Sequence, residues 1–394
     1  MAGEMLQRAR TLQEDLIAWR RDLHRHPELG FRETRTAGLV AGVLESLGYR
    51  VRTGVGRTGV VGDRGTGTPI VAVRADMDAL PIQEENEVAY ASQVPGVMHA
   101  CGHDAHTAIG LGVATLLSRE SFPGTIRFLF QPSEEGQDDQ GYSGARRMVQ
   151  EGAMDGVDAV LALHVHAGTP VGTITVDAGP TSAGVDSFRA TIAGRGSHGA
   201  YPHKGLDPVH TAAHVILALH GIVSRRLDPF APAVVTVGSI HGGQAGNIIP
   251  EKVELAGTIR YQDPAVQSLL HDEIERAVAV ARTLGGDYRL HIRAGAGPVI
   301  NDESMVALVR EVAAEMLGAD NVWPREKGMG AEDFSAMADL APGVMFRLGC
   351  ELEGQPRTAH NPTFDLDEGC LPIGAAILAE AALRRLRRPT DSVS

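Results

Sequence analysis

Three apolar stretches with similar endings constrain the fold of this chain more than any other feature. They read PIVAVRADMDALP (69–81), GTIRFLFQPSEEG (124–136) and DAVLALHVHAG (158–168), and each begins with a near-continuous apolar run. Runs of this kind are typical of strands that are buried on both faces of a helix-covered sheet. Helical patterns lie between them, over 106–120 and 143–154, so the alternation predicts a layered α/β domain with a central sheet.

The three runs end in side chains that bind metals, and a fourth stretch adds more of them. Open α/β sheets bind ligands in the crevice beyond the carboxyl ends of their strands. Thiolate and neutral imidazole are the groups that zinc and its neighbours prefer. The strand ends carry Asp76 and Asp78, Glu134 and Glu135, and His164 and His166, and the stretch VMHACGHDAHTAIG (97–110) adds His99, Cys101, His103 and His106. Together they predict a metal site at this edge of the sheet, although His106 also suits a packed or capping role.

The middle of the chain has a different pattern, which predicts a second domain. Strand patterns and helical patterns alternate there in the order βαββαβ, which is that of the split ferredoxin-like unit. We therefore expect 186–294 to be an inserted α+β dimerisation or lid domain. Residues 1–185 and 295–394 then form one discontinuous metal-binding catalytic domain.

Charge and cysteine content narrow the class of protein. The formal net charge of −13 argues against nucleic acid or an anionic membrane as the main partner. Three cysteines do not suggest a disulfide framework. The N-terminal stretch carries charges throughout, and no apolar run is long enough to span a bilayer. We expect a cytoplasmic enzyme with a small-molecule substrate.

Ten short motifs in a fixed order resemble a known enzyme family. They are RRDLHRHPELGF, RADMDALPI, MHACGHDAH, QPSEEG, LHVH, GRGSHGAYPHKGLDP, GGQAGNIIP, GTIR, GAEDFS and HNPTFDLDE, and they cover roughly residues 12–375. The set resembles the dinuclear metallo-amidohydrolases that include hippurate hydrolases, N-acyl-amino-acid deacylases and auxin-conjugate hydrolases, which are relatives of aminoacylase and glutamate carboxypeptidase. Two positions depart from the family pattern: Asn361 stands where serine is common, and His166 follows His164.

The resemblance implies five protein ligands for two divalent metal ions: Cys101, His103, Glu135, His164 and His360. One imidazole nitrogen has a single lone pair, so a bridge between the ions falls to the Cys101 thiolate, the Glu135 carboxylate or a water. Thiolate with imidazole suits zinc or cobalt, whereas carboxylate-rich relatives also use manganese or nickel.

The two neighbouring glutamates are expected to have different roles. Successive side chains of an extended segment point to opposite sides, so Glu134 and Glu135 should not face the metals alike. We assign Glu135 to the metals and Glu134 to general-base catalysis. Asp78 is expected to orient His103 or another ligand by accepting its remaining N–H. The resemblance places Asp76 where related branches carry a metal-binding histidine.

The resemblance also implies residues of the inserted domain at the site. His198 would reach across a dimer interface to stabilise the oxyanion of the tetrahedral intermediate. Asn247 and Arg260 would hold the carboxylate of the substrate, a role that suits the planar guanidinium, although an ordinary surface ion pair is the alternative for Arg260. We therefore expect a homodimer or a dimer of dimers.

The function expected from these residues is hydrolysis of the amide bond of N-acyl-L-amino acids, of the hippurate or N-acetyl type, by attack of metal-activated water. A dipeptidase or an N-acetyl-diaminopimelate-type deacetylase with the same dinuclear site is the alternative within enzymes. A catalytically silent metal-binding homologue is the alternative from another class. The presence of Glu134 argues against silence, because a silent protein has no need of the base.

Overall fold

The computed structural model describes residues 2–355 and 357–388. The helices are α1 (Ala2–Arg10), α2 (Gln13–Arg25), α3 (Thr34–Ser46), α4 (His103–Leu117), α5 (Gly144–Gln150), α6 (Pro208–Arg225), α7 (Pro264–Val278), α8 (Val280–Thr283), α9 (Glu303–Leu317), α10 (Ser335–Ala338) and α11 (Leu371–Arg387). The strands are β1 (Arg50–Val55), β2 (Gly59–Thr66), β3 (Ile70–Asp76), β4 (Gly124–Gln131), β5 (Ala159–Pro170), β6 (Ile174–Thr175), β7 (Gly179–Pro180), β8 (Gly184–Ala193), β9 (Ser197–His198), β10 (Ala233–Gly242), β11 (Ile248–Ile249), β12 (Lys252–Tyr261), β13 (Asp287–Ala294), β14 (Ile300–Asn301), β15 (Val322–Trp323) and β16 (Gly343–Glu351).

The chain divides into two compact units. Unit 1 takes the described residues of Met1–Gly179, Ile300–Glu326 and Asp333–Ser394. Unit 2 takes Pro180–Val299 and Lys327–Glu332. Unit 2 thus extends beyond 186–294 on both sides and includes a short segment from later in the chain.

Unit 1 is built on a mixed sheet. Eight strands of the described residues form it, in the order β1-β2-β4-β3-β5-β16-β6-β15. The four central strands β4, β3, β5 and β16 are parallel, and Asp76 at the end of β3 lies opposite Gln131 at the end of β4. The three apolar runs therefore end at the same edge of the sheet, and the prediction of a layered α/β domain with a central sheet is confirmed.

Apolar helices cover this sheet. The sequence of α4 is apolar on nearly every side, and the helix is correspondingly buried between β3, α11 and α2. The amphipathic α2 buries Leu16 and Leu23 against this layer and ends at Arg25, two residues before Pro27. Burial against other elements accounts for these apolar helices, and none of those in the described part of the chain is long and apolar enough to cross a membrane.

Unit 2 has the βαββαβ order that its sequence pattern predicts, with the short α8 following α7. Its four long strands are antiparallel and lie in the order β10-β12-β8-β13. Phe188, Ile192 and Ile259 on the strands pack with Val215 and Ile274 on the helices to form a separate core. The predicted fold class, an α/β domain interrupted by an α+β domain of ferredoxin-like order, is confirmed.

Candidate active site

A glycine turn between two predicted ligands places both of them beside the edge of the unit 1 sheet. Gly102 has a φ of +89° and lies between Cys101 and His103, the first residue of α4. A Cβ atom at position 102 would lie 2.4 Å from Cγ2 of Val165, which follows the predicted ligand in β5. The turn therefore requires glycine at position 102 for two reasons: its left-handed backbone conformation and its close contact with β5.

His103 presents one ring nitrogen to the site. Its Nδ1 lies 3.0 Å from the carbonyl oxygen and 3.1 Å from Oδ1 of Asp78, so an Nδ1–H donates there. Its Nε2 is buried without a hydrogen-bond partner among the described residues, and Oδ2 of Asp76 lies 3.6 Å away. Burial opposes a charge on His103, but the interactions with Asp76, Cys101 and Asp78 together outweigh it and raise the pKa of the imidazole. A metal ion has to displace that proton, so acid should weaken metal binding.

Cys101 and His164 face each other. The Sγ atom of Cys101 lies 3.5 Å from Nε2 of His164, whose Nδ1 donates to the carbonyl oxygen of Val165 at 2.7 Å. Burial lowers the pKa of His164 well below its ordinary value and raises that of the Cys101 thiol. The neutral imidazole therefore turns a free lone pair toward sulfur, in a group that His103 completes, with all three ligand atoms within 4.8 Å of one another.

The two glutamates follow β4 in a turn and not in an extended segment. Ser133 has a φ of +43°, and the carboxylates of both Glu134 and Glu135 lie within 4.8 Å of a ring nitrogen of His103. The expectation that alternation along a strand separates the two side chains is therefore wrong. Their surroundings differ nonetheless, because Glu135 donates its N–H to Oδ2 of Asp78 at 3.0 Å.

His360 reaches the same place from the other end of unit 1. Its Nε2 lies 2.8 Å from Oε1 of Glu135, and these two residues with Cys101 form a second group of candidate ligands. The backbone of His360 has a φ of +61°, and its N–H donates to the carbonyl oxygen of Ala100 at 2.7 Å. The side chain is 54% exposed, so this ligand lies at the solvent side of the cluster.

His106 does not join the ligands, although it lies beside them. Its Nδ1 donates to Oδ1 of Asp76 at 2.6 Å, and its Nε2 accepts the N–H of Val165 at 2.9 Å. Both ring nitrogens are therefore engaged, which agrees with a packed role for this histidine. Asp76 also accepts from Arg74 at 2.7 Å. Burial opposes the charge of Asp76, but Arg74, His103 and His106 together outweigh it and hold its pKa well below the usual range.

A buried ionic network next to the ligands was missed by sequence reasoning. The guanidinium of Arg20 donates to Asp104 at 2.9 Å, to Asp365 at 2.8 Å and to Glu368 at 3.2 Å. His24 adds contacts of 2.7 Å to Asp104 and 3.2 Å to Glu84. The network ties α2 to the first turn of α4 and to the segment after His360. Apart from Glu84, its members lie in the motifs RRDLHRHPELGF, MHACGHDAH and HNPTFDLDE, but nothing in the sequence shows that these charged residues meet.

The predicted substrate-binding residues belong to unit 2. His198 in β9 lies opposite Ile248 in β11, and the N–H of Gly199 donates to the carbonyl oxygen of Asn247 at 2.8 Å. The exposed His198 and Asn247 are thus neighbours. Arg260 is half-buried near the far end of β12, and burial lowers its pKa.

The residues gathered in unit 1 fit a metal centre. They supply one thiol, three imidazoles and a carboxylate, which are the ligands of zinc and similar ions. A buried imidazole nitrogen without a hydrogen bond, such as Nε2 of His103, costs free energy unless a partner such as a metal ion compensates it.

Comparison with known proteins agrees with this chemistry. The peptidase family M20/M25/M40 matches residues 72–384. An N-acetyl-L-cysteine deacetylase of Bacillus subtilis is 38% identical over 389 residues, which cover 97% of this chain and 91% of the relative. An IAA-amino acid hydrolase of Arabidopsis thaliana is 38% identical over 386 residues, which cover 96% of this chain and 87% of the relative.

A solved structure extends the match to the fold. The crystal structure of a Bacillus subtilis protein described as a dinuclear metal-binding peptidase of the M20 family has a TM-score of 0.83 and 33% identity to this chain. The alignment covers 96% of this chain and 99% of that one. The present chain therefore belongs to peptidase family M20/M25/M40 and is a metal-dependent hydrolase of amide bonds.

Proposed function

We propose that this enzyme hydrolyses N-acyl-L-amino acids with two divalent metal ions held by Cys101, His103, Glu135, His164 and His360. The observation that carries the proposal is the presence of two groups of candidate ligands that share Cys101, one completed by His103 and His164 and the other by Glu135 and His360. Two overlapping groups are what a pair of neighbouring ions requires. The relatives named for an acetylated amino acid and for an IAA-amino acid support the substrate class.

Bound ions of this type supply a Lewis acid for the carbonyl oxygen and a more acidic water. The protein supplies the base and the orientation. Glu134 takes a proton from the attacking water on its carboxylate and returns it to the nitrogen of the leaving amine. Asp78 holds two ligands at once, because one carboxylate oxygen accepts from Nδ1 of His103 and the other from the N–H of Glu135.

The experiment that tests the proposal uses metal-stripped protein reloaded separately with zinc, manganese, cobalt or nickel. N-acetyl, N-benzoyl and indolylacetyl amino acids, N-acetyl-diaminopimelate and dipeptides are assayed by release of the free amino acid. We expect at least one ion to bind at two per chain and to restore hydrolysis, with N-acyl amino acids cleaved at least tenfold faster than dipeptides. Faster cleavage of dipeptides or of N-acetyl-diaminopimelate would replace the proposed substrate, and metal binding without any hydrolysis would support a silent homologue.

We also propose that the enzyme acts as a homodimer in which each copy lends His198 and Asn247 to the other. In unit 2, β9 comes shortly after the end of β8, and β11 comes shortly before the start of β12. Both therefore adjoin the end of the β8–β12 pair where Ala193 lies opposite Lys252, whereas Arg260 lies opposite Val185 at the other end. Eight residues of strand separate these ends by roughly 26 Å. This separation supports an arrangement in which the Asn247 and the Arg260 that hold one substrate carboxylate come from different copies.

Mixing two inactive variants tests this arrangement. Glu134→Gln protein and His198→Ala protein are combined under conditions where subunits exchange, as followed by a mass tag on one variant. Each hybrid dimer would contain one site with both defects and one site with neither, so we expect activity to return toward one quarter of the wild-type value. Proven exchange without activity would show that His198 does not act across the interface.

A further inference from the structure

Backbone strain in the described part of the chain is concentrated near one buried carboxylate. Four non-glycine residues there have a positive φ: Phe31, Arg57, Ser133 and His360. Such conformations disfavour any residue with a Cβ atom, and they persist only where the surroundings hold them. His360 is a proposed metal ligand, and the other three lie around Glu33.

Glu33 is fully buried, and its carboxylate binds this strained backbone directly. Its Oε1 accepts the N–H of Phe31 at 3.0 Å and the N–H of Ser133 at 2.8 Å. Its Oε2 accepts the hydroxyl of Thr58 at 2.5 Å, and Thr58 follows Arg57. One side chain thus joins its own segment to two others, at Thr58 and at Ser133, and Ser133 is 100 residues away in the sequence.

The turn at Ser133 decides where the two glutamates point. β4 ends at Gln131, and the positive φ of Ser133 turns the chain before Glu134 and Glu135. The turn is also packed closely, because a Cβ atom at Gly30 would lie 2.5 Å from Oγ of Ser133. Glu33 and Gly30 therefore support the turn from one side, and Asp78 fixes it at the N–H of Glu135.

We propose that Glu33 is a positioning residue, whose carboxylate holds the strained Ser133 turn so that Glu134 and Glu135 both face the metal ligands. The inference rests on the proposed roles of those two glutamates. The Glu33 carboxylate hydrogen-bonds to Phe31, Thr58 and Ser133, and none of these three is a proposed ligand. It acts through the backbone N–H of Ser133, and any side chain that keeps an acceptor at Oε1 should do the same.

The test compares variants that keep or remove this acceptor. Glu33→Gln keeps an oxygen for the two N–H groups and places an amide against Thr58, whereas Glu33→Met has similar length and no acceptor. Glu28→Met is the matched control, because Glu28 accepts the N–H groups of Arg35 and Thr36 in the first turn of α3, next to Glu33, and does not hold the Ser133 turn. Three quantities are measured: zinc affinity by chelator competition, kcat and KM on an N-acyl amino acid, and stability in denaturant.

We expect Glu33→Met to weaken zinc binding and to lower kcat, each by roughly 10- to 100-fold, with little change in KM. Glu33→Gln should restore zinc affinity to within about threefold of wild type. Glu28→Met should lose stability while its zinc affinity and kcat stay within about threefold. The inference is overturned if Glu33→Met binds zinc and turns over like Glu28→Met, or if Glu33→Gln is as impaired as Glu33→Met.

A further variant and a separate readout keep the test decisive. If Glu33→Met does not fold, Glu33→Asp retains the charge but withdraws the acceptor by one methylene, and it should also bind zinc more weakly than wild type. Equal zinc affinity of Glu33→Asp and wild type would contradict the inference. If wild type binds zinc but hydrolyses no N-acyl amino acid, the proposed function fails, and the zinc affinities still decide the role of Glu33.

Discussion

Two clusters of ionisable side chains lie next to each other in unit 1, and they differ in whether their charged and polar groups have partners within the protein. Adjacent residues join them, because His103 belongs to one cluster and Asp104 to the other. The closed cluster comprises Arg20, His24, Glu84, Asp104, Asp365 and Glu368. The open cluster comprises Cys101, His103, Glu135, His164 and His360.

In the closed cluster each cation meets carboxylates. Every nitrogen of the Arg20 guanidinium donates to one, and both ring nitrogens of His24 contact one. Burial disfavours the charge of Asp104, but Arg20 and His24 outweigh it and hold the pKa of Asp104 far below its usual range. The protein itself supplies a partner for each of these cations, and Oδ1 of Asp104 is the atom of this cluster that is buried without a hydrogen bond to the described residues.

In the open cluster the lone pairs of potential ligands face one another, and Arg and Lys are absent from its members. Sγ of Cys101 faces Nε2 of His164, and Nε2 of His103 has no hydrogen-bond partner in the described residues. Such a cluster is completed by something that the protein binds. The contrast explains why we propose His103 as a metal ligand and Asp104 as a structural residue, although they are neighbours in one motif.

The largest effect is expected from the two glutamates beside the open cluster. Glu134→Gln should keep both metals and the fold while turnover falls by about 10²–10⁴, because general-base catalysis contributes about that much. Glu135→Gln should lose metal affinity first and turnover as a consequence. Elemental analysis of each purified variant, beside its rate with saturating metal, separates the two cases.

The same measurements can contradict either of the two proposed roles. Substantial turnover by fully metallated Glu134→Gln would remove Glu134 as the base. Full metal occupancy in Glu135→Gln would remove Glu135 from the ligands. Because both carboxylates lie near His103, either result is physically accessible and the experiment decides between them.

The contrast between the clusters also shows how far sequence could predict this molecule. The parallel strands and the polar residues at their ends were predictable, because buried runs such as 70–75 and the Asp76 that follows are local features. The closed cluster was not predictable, because Arg20 and Asp365 are 345 residues apart in the sequence and no periodic pattern marks their contact. The turn at Ser133 was also missed, since nothing in its residue type signals a positive φ.

The next largest effect is expected from opening the closed cluster. Arg20→Met removes the buried cation that three carboxylates share, and only Asp104 and Glu368 keep another basic partner, in His24 and Arg21. The free energy of unfolding should therefore fall by roughly 3–5 kcal/mol. Arg384→Met is the matched control, because Arg384 also binds three carboxylates but two of them, Glu311 and Glu315, are about half-exposed. Its loss should cost about 1 kcal/mol or less in denaturant unfolding of the metal-free proteins. Equal losses would show that the closed cluster is no more important for folding than a surface network.

A smaller effect concerns pH and the carboxylate that supports the turn. Burial, with a contribution from the charge of Asp78, raises the pKa of Glu33 from 4.5 to about 7. The folded protein therefore binds more protons than the unfolded chain between these values, so the stability contributed by Glu33 is full below pH 4.5 and is lost as the pH rises through 7. Relative to Glu33→Gln, wild type should lose on the order of 2–3 kcal/mol between pH 4.5 and 8. Denaturant unfolding of both proteins at a series of pH values measures the difference, and parallel curves would contradict the shift.

The smallest effect is expected from the thiol that stands at the centre of the open cluster. A coordinated thiolate is masked from reagents, so chelation should speed alkylation of Cys101 in the metal-loaded protein. The gain should be only several-fold, because burial raises the pKa of the Cys101 thiol and slows its reaction even without metal. Cys350 and Cys370 are internal references, since both are fully buried in unit 1 and neither belongs to a group of candidate ligands. Peptide mass spectrometry of timed alkylation reports the three thiols separately. If chelation did not change the alkylation rate of Cys101, this residue would be removed from the ligands and the open cluster would have four members.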